Sequence, residues 1–122
     1  MAISAKAESL GARGEDIAVK FLTARGYFII ERNWRIREGE LDIIAKSPDK
    51  AIVFIEVKSR SSAAFGDPLE GISAEKALRI QRLALAWLAT HQLLGAEYRI
   101  DAIGILIGRS GDISIDHRAG IL

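Results

Sequence analysis

The chain has 122 residues, of which 49% are hydrophobic and 27% are charged, and it contains no cysteine. This length and composition predict a single globular domain, 1–122, and argue against disorder. The lack of cysteine excludes disulfides, thiolate zinc sites and cysteine nucleophiles, and it favours a cytoplasmic location. No apolar run is long enough to span a bilayer, so no membrane partner is expected. The net charge of +1 does not by itself indicate nucleic-acid binding.

The N-terminal half of the sequence predicts one helix followed by three strands. Apolar residues recur at helical spacing from about Lys6 to Arg25, and Gly26 supplies a stop. Trp34 to Glu38 is interpreted as a basic irregular connection, and Ser47 to Lys50 as a turn with proline at its second position. The three predicted strands are Tyr27 to Asn33, Glu40 to Lys46 and Ala51 to Ser59.

The C-terminal half predicts a long loop, a helix and two strands. The loop runs from Arg60 to Gly71, and the helix begins after an N-cap at Ser73 and ends near His91, which is expected to cap it. The last predicted strands are Tyr98 to Ile107 and Asp112 to Asp116. The order α-β-β-β-α-β-β predicts an α/β fold whose central mixed five-stranded sheet is flanked by helices. Its third and fourth strands are expected to be parallel.

Two carboxylates fall in predicted strands of a half-buried sheet, where burying a negative charge is energetically costly. Because side chains alternate along a strand, a short hairpin would place Asp42, Glu56 and Lys58 on one partly apolar face. Crowded carboxylates repel each other and lose hydration, which a divalent cation relieves. The pattern predicts a Mg²⁺ (or Mn²⁺) site of Asp42, Glu56 and the Val57 carbonyl, with Lys58 holding water and stabilising phosphate charge. The same alternation places Leu41, Ile43 and Ala45 together on the opposite face.

Plainer interpretations stay open for each of these residues. An isolated E-x-K is most often an ion pair on a solvated strand face. Spacing alone makes Glu15 a helix-surface carboxylate, although it is the next candidate for the site. Asp101 in its apolar strand is most simply paired with Arg99, and His117 is expected to be exposed.

Asp42 followed by Glu56-x-Lys58 resembles the D…(D/E)-x-K signature of restriction-endonuclease-like nucleases. The wider match is to the small bacterial YraN-like family, which is similar to archaeal Holliday-junction resolvases. The resemblance implies a central mixed sheet, Asp42 and Glu56 as metal ligands, Lys58 as the catalytic lysine and Glu15 as an auxiliary acid. The matching segments are Gly11-x-x-Gly14-Glu15, Gly26-Tyr27, Arg32-Asn33, Gly39 to Asp42, Phe54 to Arg60, Phe65 to Pro68, Lys76 and Arg99 to Asp101.

Basic residues cluster around the candidate site in the sequence. They are suited to contact nucleic-acid phosphates, although each cluster taken alone is more typical of a solvated surface. Trp34 is a candidate for stacking on an unpaired base and, more simply, a core residue. The candidate nucleic-acid-binding residues are Arg35, Arg37, Arg60, Lys76 and Arg79.

The sequence thus predicts a metal-dependent endonuclease that hydrolyses phosphodiesters in structured or branched DNA. A homodimer is a further hypothesis, because a symmetric cut of two strands needs two sites. The alternative is a non-catalytic module on the same fold that binds nucleic acid or a protein partner.

Overall fold

A computed structural model of the chain describes residues 9–61 and 67–122. The order α-β-β-β-α-β-β and the five-stranded mixed sheet confirm the predicted fold class. The start of the predicted first helix and loop residues 62–66, including Phe65, lie outside the described residues. The elements are α1 (Leu10–Ala24), β1 (Phe28–Ile36), β2 (Gly39–Lys46), β3 (Ile52–Arg60), α2 (Ala74–Thr90), β4 (Tyr98–Ile107) and β5 (Ile113–Arg118).

The strands lie in the order β1-β2-β3-β4-β5. β3 and β4 are parallel, as predicted, and the other neighbours are antiparallel. Antiparallel neighbours need only tight connections, such as the Ser47–Lys50 turn, in which the Lys50 N–H donates to the Ser47 carbonyl at 2.8 Å. The parallel pair needs a crossover, and the segment that contains α2 supplies it.

Local capping sets the helix limits. The Ser9 hydroxyl accepts a first-turn N–H of α1 at 3.1 Å, and Gly26, at φ +90°, follows the end of this helix. Ser73 caps α2 as predicted, accepting a backbone N–H at 3.1 Å. His91 lies at the other end, where its Nδ1 is 2.8 Å from a carbonyl oxygen of the last turn, which confirms its predicted capping role.

One apolar cluster lies on each face of the sheet, beneath one helix. The cluster under α2 contains Leu41, Ile44, Ile52, Phe54, Ile80, Leu83, Ala84, Trp87, Leu88 and Ile100. The cluster under α1 contains Ala18, Leu22, Ile43, Ala45, Val53, Ile55, Ile103, Ile105 and Ile107. Trp34 packs against the first of these, in line with its interpretation as a core residue. Across the described ranges, neither helix combines the length and apolarity that crossing a membrane requires.

Two predictions about the first strands were wrong. Trp34 to Ile36 is not irregular but continues β1, because these residues pair with Leu41 to Gly39. Leu41 and Ile43 do not share a face, since Leu41 packs under α2 and Ile43 under α1. The strand alternation breaks beside Asn33, whose φ of +53° lies in the left-handed region.

The C-terminal strand also differs from its prediction. β5 runs from Ile113 to Arg118, beyond the predicted end at Asp116. His117 is therefore paired with Ile103 of β4, and its side chain is only 16% exposed. The prediction of an exposed His117 was wrong because this residue covers a buried acid, Asp101.

Candidate functional site

The candidate site lies where β2 and β3 separate. Their pairing ends at Ile43 and Ile55, while β2 stays paired with β1, and β3 stays paired with β4. Asp42 is the first residue of β2 past this point. In place of a strand carbonyl, its Oδ2 accepts the Val57 N–H at 2.9 Å. The carboxylate thus bridges the gap between the two strands.

Asp42 is held in an environment that disfavours its charge. Burial and the negative charge of Glu56 raise its pKa to about 7, against a weaker lowering effect of the Val57 N–H. Glu15 and Glu40 raise this pKa further. Asp42 and Glu56 therefore interact electrostatically across the gap.

Glu56 lies on the α2 side of the sheet, between two lysines. Its Oε2 is 3.7 Å from the Lys58 ammonium nitrogen and 3.6 Å from that of Lys76. The Glu56 side chain is 14% exposed, and the lysine side chains are 28% and 25% exposed. Glu56 and Lys58 thus lie together as the alternation predicts, and the ion pair of the plainer interpretation is also present.

Asp42 opens onto a cavity on the α1 side. The cavity has a volume of about 290 Å³. Its lining consists of Gly11, Ala12, Glu15, Asn33, Glu40, Asp42 and Val57. Asp42 and Glu56 therefore approach the gap from opposite sides, and the side chains of β2 do not follow the simple alternation on which the one-face prediction rested.

Glu15 projects from α1 into this cavity and is not a solvated surface residue, since only 8% of it is exposed. Arg32 donates to its Oε1 through Nε at 3.2 Å and Nη2 at 2.8 Å, and Asn33 donates at 3.0 Å. Close packing brings α1 this near, since a Cβ at Gly14 would overlap the Ser59 side chain.

The donor set suits a hard dication. Mg²⁺ is commonly held by one or two carboxylates and keeps several waters, and Asp42, Glu56 and the Val57 carbonyl offer such oxygens. A positive charge here would stabilise the ionised form of Asp42, which burial and Glu56 disfavour. Within 9–61 and 67–122, however, no three acidic or histidine side chains are gathered closely enough to form a complete metal cage.

The candidate phosphate-binding residues are spread over β1, the β1–β2 turn, β3 and α2. Arg35, 72% exposed, pairs with Glu40 at 3.1 Å, and Arg37 lies in the exposed β1–β2 turn. Arg60 ends β3, where its guanidinium donates to the Ser59 carbonyl. On α2, Arg79 and Arg82 line a cavity of about 480 Å³ with Ile36 and Glu38, so this turn and α2 form one basic surface.

Sequence reasoning missed three features of this region. It gave Lys76 a role in binding nucleic acid but not a place beside Glu56, because sequence spacing does not reveal a contact between β3 and α2. It did not identify Arg32 and Asn33 as partners of Glu15. The left-handed backbone at Asn33 could have been suspected from the sequence, because asparagine tolerates that conformation better than most residues.

Solved structures with some likeness to the chain include a repair endonuclease and a protein–DNA complex. One is a repair endonuclease from Pyrococcus abyssi, at 19% identity and a TM-score of 0.46, over 85% of this chain and 40% of that chain. Another is EndoMS in a complex with double-stranded DNA, at 18% identity and a TM-score of 0.43, over 91% of this chain and 42% of that chain. The chain thus spans about two fifths of the length of either protein.

Sequence relatives cover nearly all of the chain. A UPF0102 protein of Leifsonia xyli subsp. xyli is 48% identical over 97% of this chain and 99% of its own length. One from Mycolicibacterium smegmatis is 49% identical, over 92% of this chain and 91% of its own. The family model described as "Uncharacterised protein family UPF0102" matches residues 14–105. The chain belongs to this family, UPF0102, which confirms the YraN-like resemblance drawn from its motifs.

Proposed function

We propose that the protein is a metal-dependent endonuclease that hydrolyses phosphodiesters in structured or branched DNA. The observation that carries this proposal is the electrostatic conflict at the β2–β3 gap. Burial and the negative charge of Glu56 raise the cost of ionising Asp42 there, beside the Lys58 ammonium group. Perturbed carboxylates at an open strand end are typical of functional sites.

Asp42, Glu56 and the Val57 carbonyl are the proposed ligands of Mg²⁺ (or Mn²⁺). When bound, the ion would supply positive charge that favours ionised Asp42 and polarises a phosphate oxygen. Lys58, already placed beside Glu56, would orient the attacking water and stabilise negative charge on the phosphate. Glu15 would act as an auxiliary acid in the adjoining cavity.

DNA would lie over the basic surface beside the gap. Arg35, Arg37, Arg60, Lys76 and Arg79 are the proposed backbone contacts, which add affinity without reading sequence. A homodimer would bring two such sites to one branched substrate. In this proposal, residues 1–122 form one nuclease-like domain.

The test is cleavage of a four-way DNA junction with Mg²⁺ or Mn²⁺. Asp42→Asn and Lys58→Ala should each lower the rate at least about a hundredfold, since each removes charge at the reacting phosphate. Asp116→Asn and Lys46→Ala are matched controls, because both residues are exposed strand positions outside the site. Equal cleavage by the parent, Asp42→Asn and Lys58→Ala rules out the proposed mechanism.

One observation favours the non-catalytic alternative. Lys58 and Lys76 together neutralise Glu56, so that the protein's own ammonium groups already balance this carboxylate. A binding module would retain junction affinity in Asp42→Asn and cleave nothing with either metal. Its DNA binding should weaken steeply with salt, and no DNA binding even at low salt would favour a protein partner instead.

A further inference from the structure

The hydrogen bonds of Glu15 are strongly one-sided. Its side chain is 11% exposed, and three donors converge on Oε1, two from Arg32 and one from Asn33. In the described parts of the chain, Oε2 receives no hydrogen bond. Glu15 lines the cavity that also contains Asp42 and Val57. One oxygen is therefore anchored to the protein, and the other remains available to a ligand of the cavity.

Asn33 makes this arrangement through an unusual backbone. Its φ of +53° interrupts β1, and its carboxamide lies 3.0 Å from Glu15 in α1. A regular strand residue would alternate with Arg32, so that the two side chains would lie on opposite faces. The left-handed turn allows both to reach the same carboxylate oxygen. Backbone conformations of this kind are retained where surrounding contacts stabilise them, often at functional sites.

Arg32 supplies the compensating charge. Its Nη2 is 2.8 Å from Glu15 and 2.7 Å from Asp16, which places one guanidinium between two neighbouring carboxylates of α1. Glu15 raises the pKa of Asp42, so without a cation it would add to the repulsion within the cavity. Arg32 thus places a positive charge between the carboxylates of Glu15 and Asp16 on this side of the cavity.

We propose that Asn33 and Arg32 are positioning residues that fix Glu15 for metal binding. They occupy Oε1 and present Oε2 to the cavity, where it accepts a hydrogen bond from a water of the hydrated cation. This inference rests on the function proposed above. It assigns roles to two residues that are not among the proposed metal ligands.

The test is Mn²⁺ binding, measured as free Mn²⁺ by electron paramagnetic resonance, with no DNA present. Asn33→Gly removes the carboxamide and keeps a residue that adopts positive φ without strain. Lys50→Gly is the matched control, because Lys50 also has a positive φ, of +74°, but lies in the remote β2–β3 turn. Asn33→Gly should weaken Mn²⁺ binding about tenfold, as is typical for partners of metal-binding groups, and Lys50→Gly should leave it unchanged.

A double-mutant cycle separates positioning from a general structural effect. If Asn33 acts through Glu15, Asn33→Gly should have no further effect on Mn²⁺ affinity in a Glu15→Ala background. Equal Mn²⁺ affinity of the parent and Asn33→Gly would overturn this inference and leave the proposed function intact. A parent protein that binds no Mn²⁺ would overturn both. A lower melting temperature of Asn33→Gly with unchanged affinity would make Asn33 merely structural.

Discussion

Two regions of the sheet each contain a carboxylate that is shielded from solvent, completely at Asp101 and partly at Asp42, and the two environments have opposite effects on its charge. Asp101 in β4 is completely buried, and burial raises its pKa, but hydrogen bonds from His117, Gly120 and Arg99 outweigh burial and hold this pKa below its usual value. Asp42 in β2 accepts one backbone N–H and faces other carboxylates, and its pKa rises to about 7. Burial alone therefore does not decide the charge of an acid. The number and charge of its donors do.

The comparison separates a carboxylate whose charge the protein balances from one whose charge it leaves unbalanced. Around Asp101, two cationic or protonatable side chains and a backbone N–H satisfy both oxygens, and they tie β5 and the C-terminal segment to β4. Around Asp42, the matching positive charge is missing from the described contacts. A site of this kind is costly for folding and is best explained by a ligand that brings the charge.

The largest predicted effect on stability is at Asp101. Asp101→Asn should lower the free energy of unfolding by about 4 kcal/mol, because it leaves the partly buried Arg99 and His117 without their anionic partner. Urea unfolding at neutral pH measures this loss. The exposed carboxylate Asp116 pairs with Arg118, and Asp116→Asn should cost less than about 1 kcal/mol. If Asp101→Asn lowers the free energy of unfolding no more than Asp116→Asn does, Asp101 does not stabilise the fold in the way that sets it apart from Asp42.

At Asp42, removal of the carboxylate is predicted to raise, not lower, the free energy of unfolding of the metal-free protein. Its pKa is raised on folding to about 7, so the folded state keeps a proton that the unfolded state has lost, and stability falls as pH rises from about 4 to about 7. Asp42→Asn should remove this decline and be more stable than the parent above that range, by on the order of 3 kcal/mol.

Urea unfolding with a chelator present, repeated across this pH range, provides the measurement for Asp42. Below about pH 4 the variant and the parent should have nearly equal stability, since Asp42 is then protonated in both states. An Asp42→Asn variant that is less stable than the parent at high pH would show that Asp42 is a structural acid like Asp101.

A smaller effect is predicted where α1 packs on β3 and brings Glu15 to the cavity beside Asp42. Gly14→Ala should cost about 2 kcal/mol, because its Cβ would overlap the Ser59 side chain. Gly11→Ala is the matched control in the same helix, with open space at its Cβ, and should change stability by less than about 1 kcal/mol. Thermal unfolding of the two variants compares them. Equal melting temperatures would mean that this contact does not fix α1.

Most of the fold followed from local signals in the sequence. Hydrophobic periodicity located both helices, Ser73 and Gly26 marked helix limits, and the turn at Ser47 set the β2–β3 hairpin. Each of these depends on residues within a few positions of one another. The acidic residues and the E-x-K motif could also be recognised from the sequence, because charged residues stand out within apolar strands.

What failed depended on long-range contacts and on one backbone angle. The alternation of β2 breaks beside Asn33, whose backbone is left-handed: Leu41 packs on the α2 face, and Asp42 opens onto the cavity on the α1 side. Lys76 reaches Glu56, and His117 reaches Asp101, across elements whose packing no local pattern specifies. These contacts determine which charges are balanced, and hence which acid is available for chemistry.

The most direct test of the central claim is a crystal of the protein soaked with Mn²⁺ and measured at a wavelength where manganese scatters anomalously. The account predicts one anomalous peak at the β2–β3 gap, within bonding distance of Asp42 and Glu56, and its loss in Asp42→Asn crystals. A fully occupied peak elsewhere, or no peak at the gap in crystals whose gap is open to solvent, would contradict the account.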